Sequence, residues 1–285
     1  MSERLADIGR RIAIVHQLGA VVNAMRGIAG ARASQSRALL PAIRAYAETA
    51  VRAIGMAQRL RTAPSSAKLA EEGRPGLIVF GAEQGFAGAF AEQAIDAAAP
   101  EFVGHHVFLV GAKAAAIAAE RHLTPDWQAS LSGRADALSG LAVQVLDALY
   151  GYLASAGPVP IVMIHPVWTA GRGPTIIRRN LLPLDPRIYA HAGAGPEPLI
   201  NLPADDLVAR LAQDYVFALL CEAAAEAFAA ENEARMATMA SAKANIDKTL
   251  TALQMEERLT RQDEITAEVV ELAAGARARG SRQHL

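Results

Sequence analysis

Apolar residues recur at alternating intervals of three and four near both ends of this chain. Toward the C-terminus, Met239, Ile246 and Leu253 stand seven apart with Leu250 between them, and Ile265, Val269 and Leu272 repeat the spacing further on. A narrow stripe of that period is a coiled-coil seam. The stretch from Asp205 to Arg279 has no proline, a single glycine (Gly275), and mostly good helix formers. A helix of about 75 residues would be roughly 110 Å long, more than the diameter of an ordinary domain. Part of it is expected to stand clear of any compact body, and in water it needs a partner. The N-terminus supplies one. Ile8, Val15, Val22 and Ala29 lie seven apart, as do Leu5, Ile12 and Gly19, and the small residues in this stripe let two axes approach closely. The pattern predicts a helix from Glu3 to about Leu60, with a kink or short break near Leu40 ahead of Pro41. The two terminal helices then form an antiparallel pair, and everything between them is an insertion.

The insertion has a different texture. Thr62–Pro75 reads as a linker, rich in Pro, Ser and charge. Gly76–Phe80 is a short apolar run that reads as a buried strand, and Gly81–Gly88 is a glycine-rich turn opening a helix near Ala89–Ala98. Val107–Val110 and Val159–Ile164 read as further strands, and Ala112–Arg121 and Ala135–Ala154 as helices. Thr175–Leu184 reads as an edge strand closed by Pro183. Strands alternating with helices predict a Rossmann-like α/β domain with a mainly parallel sheet. The expected division is a coiled-coil helix over 1–72, the α/β domain over 73–203 and a second coiled-coil helix over 204–285. The fold class is thus α/β plus long α, an antiparallel coiled coil of the two ends with an inserted α/β domain. Pro186–Pro203 reads as a loop returning to the last helix.

Composition narrows the function more than it names it. A formal net charge of -1 over 285 residues leaves no global signature for nucleic acid. The one cysteine, Cys221, excludes an intramolecular disulfide and reads as a packing residue. Charges at Glu3, Arg4, Asp7, Arg10 and Arg11 argue against a secretory signal, and no run of about 18 uncharged apolar residues is present. The turn GAEQGFAG follows a strand and opens a helix, where backbone N–H groups can cradle a phosphate. It has neither the lysine of a P-loop nor the G-x-G-x-x-G of a dinucleotide site, so a tight structural turn is the plainer reading. His105 and His106 are adjacent and point to opposite faces of a strand, and no metal-ligand spacing occurs. Glu222 and Glu226 fit a solvated helix face better than an acid/base pair. No catalytic, cofactor or metal residues are assigned. The polar run Glu256–Glu264 interrupts the seam and reads either as a solvated face or as a segment presented to a surrounding partner.

Several motifs together resemble the γ subunit of F-type ATP synthases. The last helix carries Ala230-Glu231, Arg235-Met236, Met239, Ala242 and Asn245, then Arg261-Gln262, Ile265-Thr266, Glu268, Glu271 and Gly275-Ala276. The first carries Ile8, Arg11-Ile12 and Val15, then Val21 through Met25. The family's D-x-G-L-C-G-G turn stands here as Glu83 to Ala89, and L-L-P-L as Leu181–Leu184. Alanine replaces the family's serine at 230, and Val22 its threonine. With no dithiol segment and no transit peptide, the likeness is to a divergent bacterial branch. It implies a central-stalk rotor without a catalytic site of its own, coupling ion flow through a c-ring to ATP synthesis or hydrolysis in an α3β3 ring. It also implies contacts with the ε subunit and a place on the cytoplasmic side of the plasma membrane, peripheral through the complex. By the same resemblance Arg261, Gln262, Thr266 and Glu268, with Met25 opposite on the first helix, meet the ring. Two other classes remain open on the residues alone. One is a nucleotide-binding α/β module that dimerises through its coiled coil, with phosphate at Gly85 and Gly88. The other is a coiled-coil adaptor.

Overall fold

The computed structural model describes residues 3–61, 73–190 and 198–280, with side chains to residue 274. The elements in order are α1 (Glu3–Gln58), β1 (Gly76–Phe80), α2 (Phe90–Phe102), β2 (His106–Val110), α3 (Ala112–Glu120), β3 (Trp127–Ala129), α4 (Leu138–Ala156), β4 (Ile161–Thr169), β5 (Gly173–Leu182) and α5 (Ala204–Gly280). Short 3-10 turns precede α4 and follow β5. Most of the linker expected at 62–75 and part of the loop expected at 186–203 lie outside the described residues. The chain forms two compact units, one of residues up to Gly27 with those from Thr238 onward, the other of Ile28–Ala237.

The first unit is a pair of helical segments. Val22, Met239 and Ile246 form its buried cluster, with Val15, Met25, Ala242 and Leu250 against it. Gly19 sits in the seam, where an added Cβ would meet Ile246 at 3.3 Å. Buried Leu5 lies fourteen residues before Gly19, and buried Thr260 fourteen residues after Ile246, so one antiparallel register accounts for both ends of the seam. That register uses up α1 near Thr260. Ile265, Val269 and Leu272, expected to continue the seam, are 56%, 59% and 74% exposed. They keep the period of a seam, but this register sets no described residue of α1 beside them.

The second unit holds a five-stranded sheet in the order β3-β2-β1-β4-β5. β1 pairs in parallel with β2 and β4, β2 with β3, and β4 runs antiparallel to β5. The sheet alternates its residues between two cores, as period-two geometry requires. Ile78, Phe80, Phe108 and Met163 face α4 and the helical segments of α1 and α5. Leu77, Val79, Val107 and Leu109 face α2 and α3. Gly111, at φ 117°, joins β2 to α3; a Cβ there would stand 2.6 Å from the Ala82 carbonyl oxygen. Strand β3 was not anticipated, being only three residues with a half-buried pattern.

Pro41 does not interrupt α1, which is continuous from Glu3 to Gln58. Its side chain is exposed, so the carbonyl it leaves without an amide partner is free to meet water. The residues on either side hold the helix down: Ser36, Leu40, Ile43, Ala47 and Ala50 keep the three-four spacing across the proline and face the core. Two helical stretches, within α1 and over Ala135–Ala156, contain an 18-residue window of mean hydropathy 1.3 with at most two charges. Much of the second is accounted for by the face of α4 that packs on the sheet.

Candidate functional site

The residues singled out at the end of the shaft lie in the first unit. Arg261, Gln262, Thr266 and Glu268 are exposed on α5. Arg261 donates to Glu257 one turn back at 3.0 Å, and the Thr266 hydroxyl donates to the Gln262 carbonyl at 2.9 Å. Met25 is half-buried in the seam cluster with Met239 and Ile246. The register sets Met25 opposite the region of Ala240, about 30 Å along the helix from Arg261 at 1.5 Å per residue. The structure therefore groups the four α5 residues and does not bring Met25 to them. Within Glu256–Glu264, Thr260 is buried and Glu256 and Glu257 half-buried, while Arg261, Gln262 and Asp263 are exposed.

Two polar clusters in the second unit tie α5 to the α/β domain. At the first, Arg44 of α1 donates to both Glu222 and Glu226 at 2.7 Å each. Arg179 of β5 donates to the other Glu222 oxygen at 2.9 Å. His165 of β4, 3% exposed, places its Nε2 2.8 Å from Glu226 Oε2. Burial alone would raise the Glu222 carboxyl, but Arg44 and Arg179 outweigh it and hold it below its ordinary value. Glu222 and Glu226 are thus not a solvated face; their partners come from three other elements. Immediately before Glu222 in the sequence, Cys221 is buried, and burial pushes its thiol up to about 11, which fits packing and not reactivity.

At the second cluster, Glu231 accepts from the backbone N–H groups of Glu83 and Gln84, at 2.8 and 3.0 Å. Arg235 donates to Glu231 at 2.5 Å, to Asn232 Oδ1 at 3.0 Å and twice to the Gly85 carbonyl at 3.2 Å. Glu231, Asn232 and Arg235 are all buried. Glu83 in turn accepts from Ala112 N at 2.9 Å and Leu131 N at 2.7 Å, capping α3. In a sheet of this order a ligand phosphate would sit beyond the C-terminal end of β1. Here two amides of that turn, those of Glu83 and Gln84, are held by the protein's own Glu231. At the tip, Phe86 is 71% exposed and takes φ 63°, a strained value for a bulky residue.

That occupancy carries an expectation. Calorimetric titration of the chain with ATP should show no saturable heat from the turn, because a phosphate would have to displace Glu231 from two N–H groups and approach its negative charge. A micromolar or tighter Kd, lost on substituting Gly85, would overturn it. Among the described residues there is no group of three or more His, Cys, Asp or Glu that could hold a metal ion.

The chain thus has a pair of long helical segments and an α/β domain in which Glu231 takes two amides of the turn after β1. The ATP synthase family model matches residues 4–278, and the chain belongs to that family. It is 24% identical over 282 residues to the ATP synthase gamma chain of Geotalea daltonii, covering 95% of this chain and 97% of that one. It is 28% identical over 286 residues to the gamma chain of Rubrobacter xylanophilus, covering 96% and 98%. Its fold is shared with a chain of the Euglena gracilis mitochondrial ATP synthase, solved with OSCP, F1 and c-ring in rotational state 3. That likeness has a TM-score of 0.67 at 14% identity, over 99% of this chain and 96% of that one.

Arg44, His165, Arg179 and the pairing of Glu231 with the turn were not read from the sequence. The available signal was Glu231-Asn232-Glu233 and Arg235 standing in a run otherwise dense in alanine. Charges in a helix that is buried on every side demand partners.

Proposed function

We propose that the chain is the central-stalk rotor subunit of an F1Fo ATP synthase. It turns inside a ring of α and β subunits and is joined to an ε subunit and to a ring of membrane c subunits, on the cytoplasmic side of a bacterial plasma membrane. Beyond family membership, one observation supports an enclosing partner. The first unit leaves apolar side chains uncovered on both helices: Ile14, Leu18 and Val21 on α1, and Ile265, Val269 and Leu272 on α5 are each more than half exposed. Exposed apolar residues repeated along one helix face in this way suit an interaction site. Chemistry on ATP falls to the β subunits. Its contribution is asymmetry: a shaft with different faces biases three like sites toward different conformations, each favouring a different ligand state. Co-purification is the test. An affinity-tagged chain expressed with its own α and β subunits should bring down a stoichiometric ring. A discrete oligomer of this chain alone, with no ring, would turn the reading toward an adaptor.

Arg261 and Gln262 are proposed to bear contacts with the ring, and Thr266, Glu268 and Met25 to lie on the enclosed surface. Among the described residues Arg261 has a one-turn ion pair to Glu257, and exposed pairs of that kind contribute about 0.3–0.5 kcal/mol. It can therefore exchange that partner for a carboxylate on the ring. Arg261→Ala with Gln262→Ala should leave assembly intact, because the seam is untouched, and should lower coupled ATP synthesis at least about tenfold, the effect of about 1.4 kcal/mol. Synthesis at the unsubstituted rate would return this stretch to a solvated face.

A further inference from the structure

The alanines of α5 that pack in the second unit pose a mechanical problem. Ala223, Ala224, Ala225, Ala227, Ala229 and Ala230 are all buried. Apart from Phe228, also buried in this run, the contact surface is methyl groups of low relief, and apolar burial is non-directional, so this contact does little to fix the helix's angle about its own axis. Ser36 Oγ donating to the Ala225 carbonyl, and Arg37 paired with Glu233, hold α5 to α1 and not to the sheet. What holds α5 to the α/β domain directionally is the two polar clusters. At 100° per residue, Glu231 and Arg235 lie about 180° around the helix from Glu222 and Glu226, and about 13 Å further along it. One cluster is anchored on strands β4 and β5 through His165 and Arg179; the other is anchored on the backbone of the turn after β1.

We infer that these two clusters form a torsional couple. They grip α5 from opposite sides so that it cannot turn within the α/β domain, and torque arriving at that domain passes to the shaft through them. Charge-assisted hydrogen bonds suit this role because they are short and directional, so a small rotation breaks their geometry. Gripping from both sides matters, because a single anchor would let the helix roll about it. His165 and Arg179 are positioning residues here, acting on the shaft through Glu226 and Glu222.

This inference rests on the rotor reading, and its test separates the two. The α3β3 ring of the assembled complex is immobilised, and a probe is fixed to the α/β domain at Val103→Cys, a position 87% exposed. Failure of the probe to rotate on ATP in the otherwise unsubstituted complex would sink the rotor reading itself. With rotation established, the angular variance of the probe is measured at the nucleotide-free pause. Two clamps in parallel share the stiffness, so His165→Gln with Arg179→Gln should about double the variance attributable to this junction. Arg179→Gln alone, at a partly exposed residue whose loss leaves the core intact, should give an intermediate increase that Arg179→Lys reduces. Unchanged variance in these variants would overturn the inference. So would an equal increase from Leu149→Ala, a core truncation in α4 touching neither cluster, because that would mark general softening.

Discussion

Ile246→Asp should destabilise the chain by about 3–4 kcal/mol, among the larger effects of any single substitution in the helical pair. Ile246 is 8% exposed, contributes to the buried cluster with Val22 and Met239, and lies against Gly19. A carboxylate placed there loses water among the apolar side chains of Val22 and Met239 and the backbone of Gly19. The first unit is a two-helix pair, so there is no third layer to repack around the defect. Val15→Asp belongs to the same seam but starts half-buried, and should cost roughly half as much because its carboxylate can reach solvent. Helicity at 222 nm and a urea titration monitor both. Equal, small shifts in the two variants would mean that the seam does not hold the pair together.

The same seam shows how far spacing can be read. Met239, Ile246 and Leu253 were placed correctly because seven-residue repetition reports which face of a helix is apolar, and α1 is present to cover that face. Ile265, Val269 and Leu272 obey the same rule, yet are exposed. Periodicity describes one helix and is silent about where its partner stops. The sheet was legible for a related reason. Gly76–Phe80 and Ile161–Ile164 are apolar on both faces because both faces are covered. The three residues of β3 carry too little pattern to announce themselves.

The polar clusters were illegible because their partners are distant in sequence. Glu222 and Glu226 look like a solvated face until Arg44, His165 and Arg179 are brought to them from 43 to 182 positions away. The glycine-rich turn was read from its residues as lacking a binding fingerprint. That Glu231 occupies its amides follows only from α5 crossing the end of β1. What was missed in each case is the tertiary pairing, while the local element was identified.

Glu231→Ala should cost about 3–5 kcal/mol, because it leaves Arg235 buried without its carboxylate and strips two turn N–H groups of their acceptor. Arg235 would keep only the Gly85 carbonyl and Asn232 as partners. Arg235→Met should also destabilise, though less, since Glu231 retains its two backbone donors after the guanidinium is gone. The diagnostic measurement is the double variant. If the pair is one interacting unit, Glu231→Ala with Arg235→Met should be less destabilised than the two losses added together, by about 2 kcal/mol, because the second change removes the orphaned charge left by the first. The turn amides stay unsatisfied in the double variant, so it should not regain full stability. Strict additivity in a denaturant-unfolding cycle would mean that Glu231 and Arg235 act independently, and that the arginine's place on the Gly85 carbonyl, not its charge pairing, holds the turn against α5.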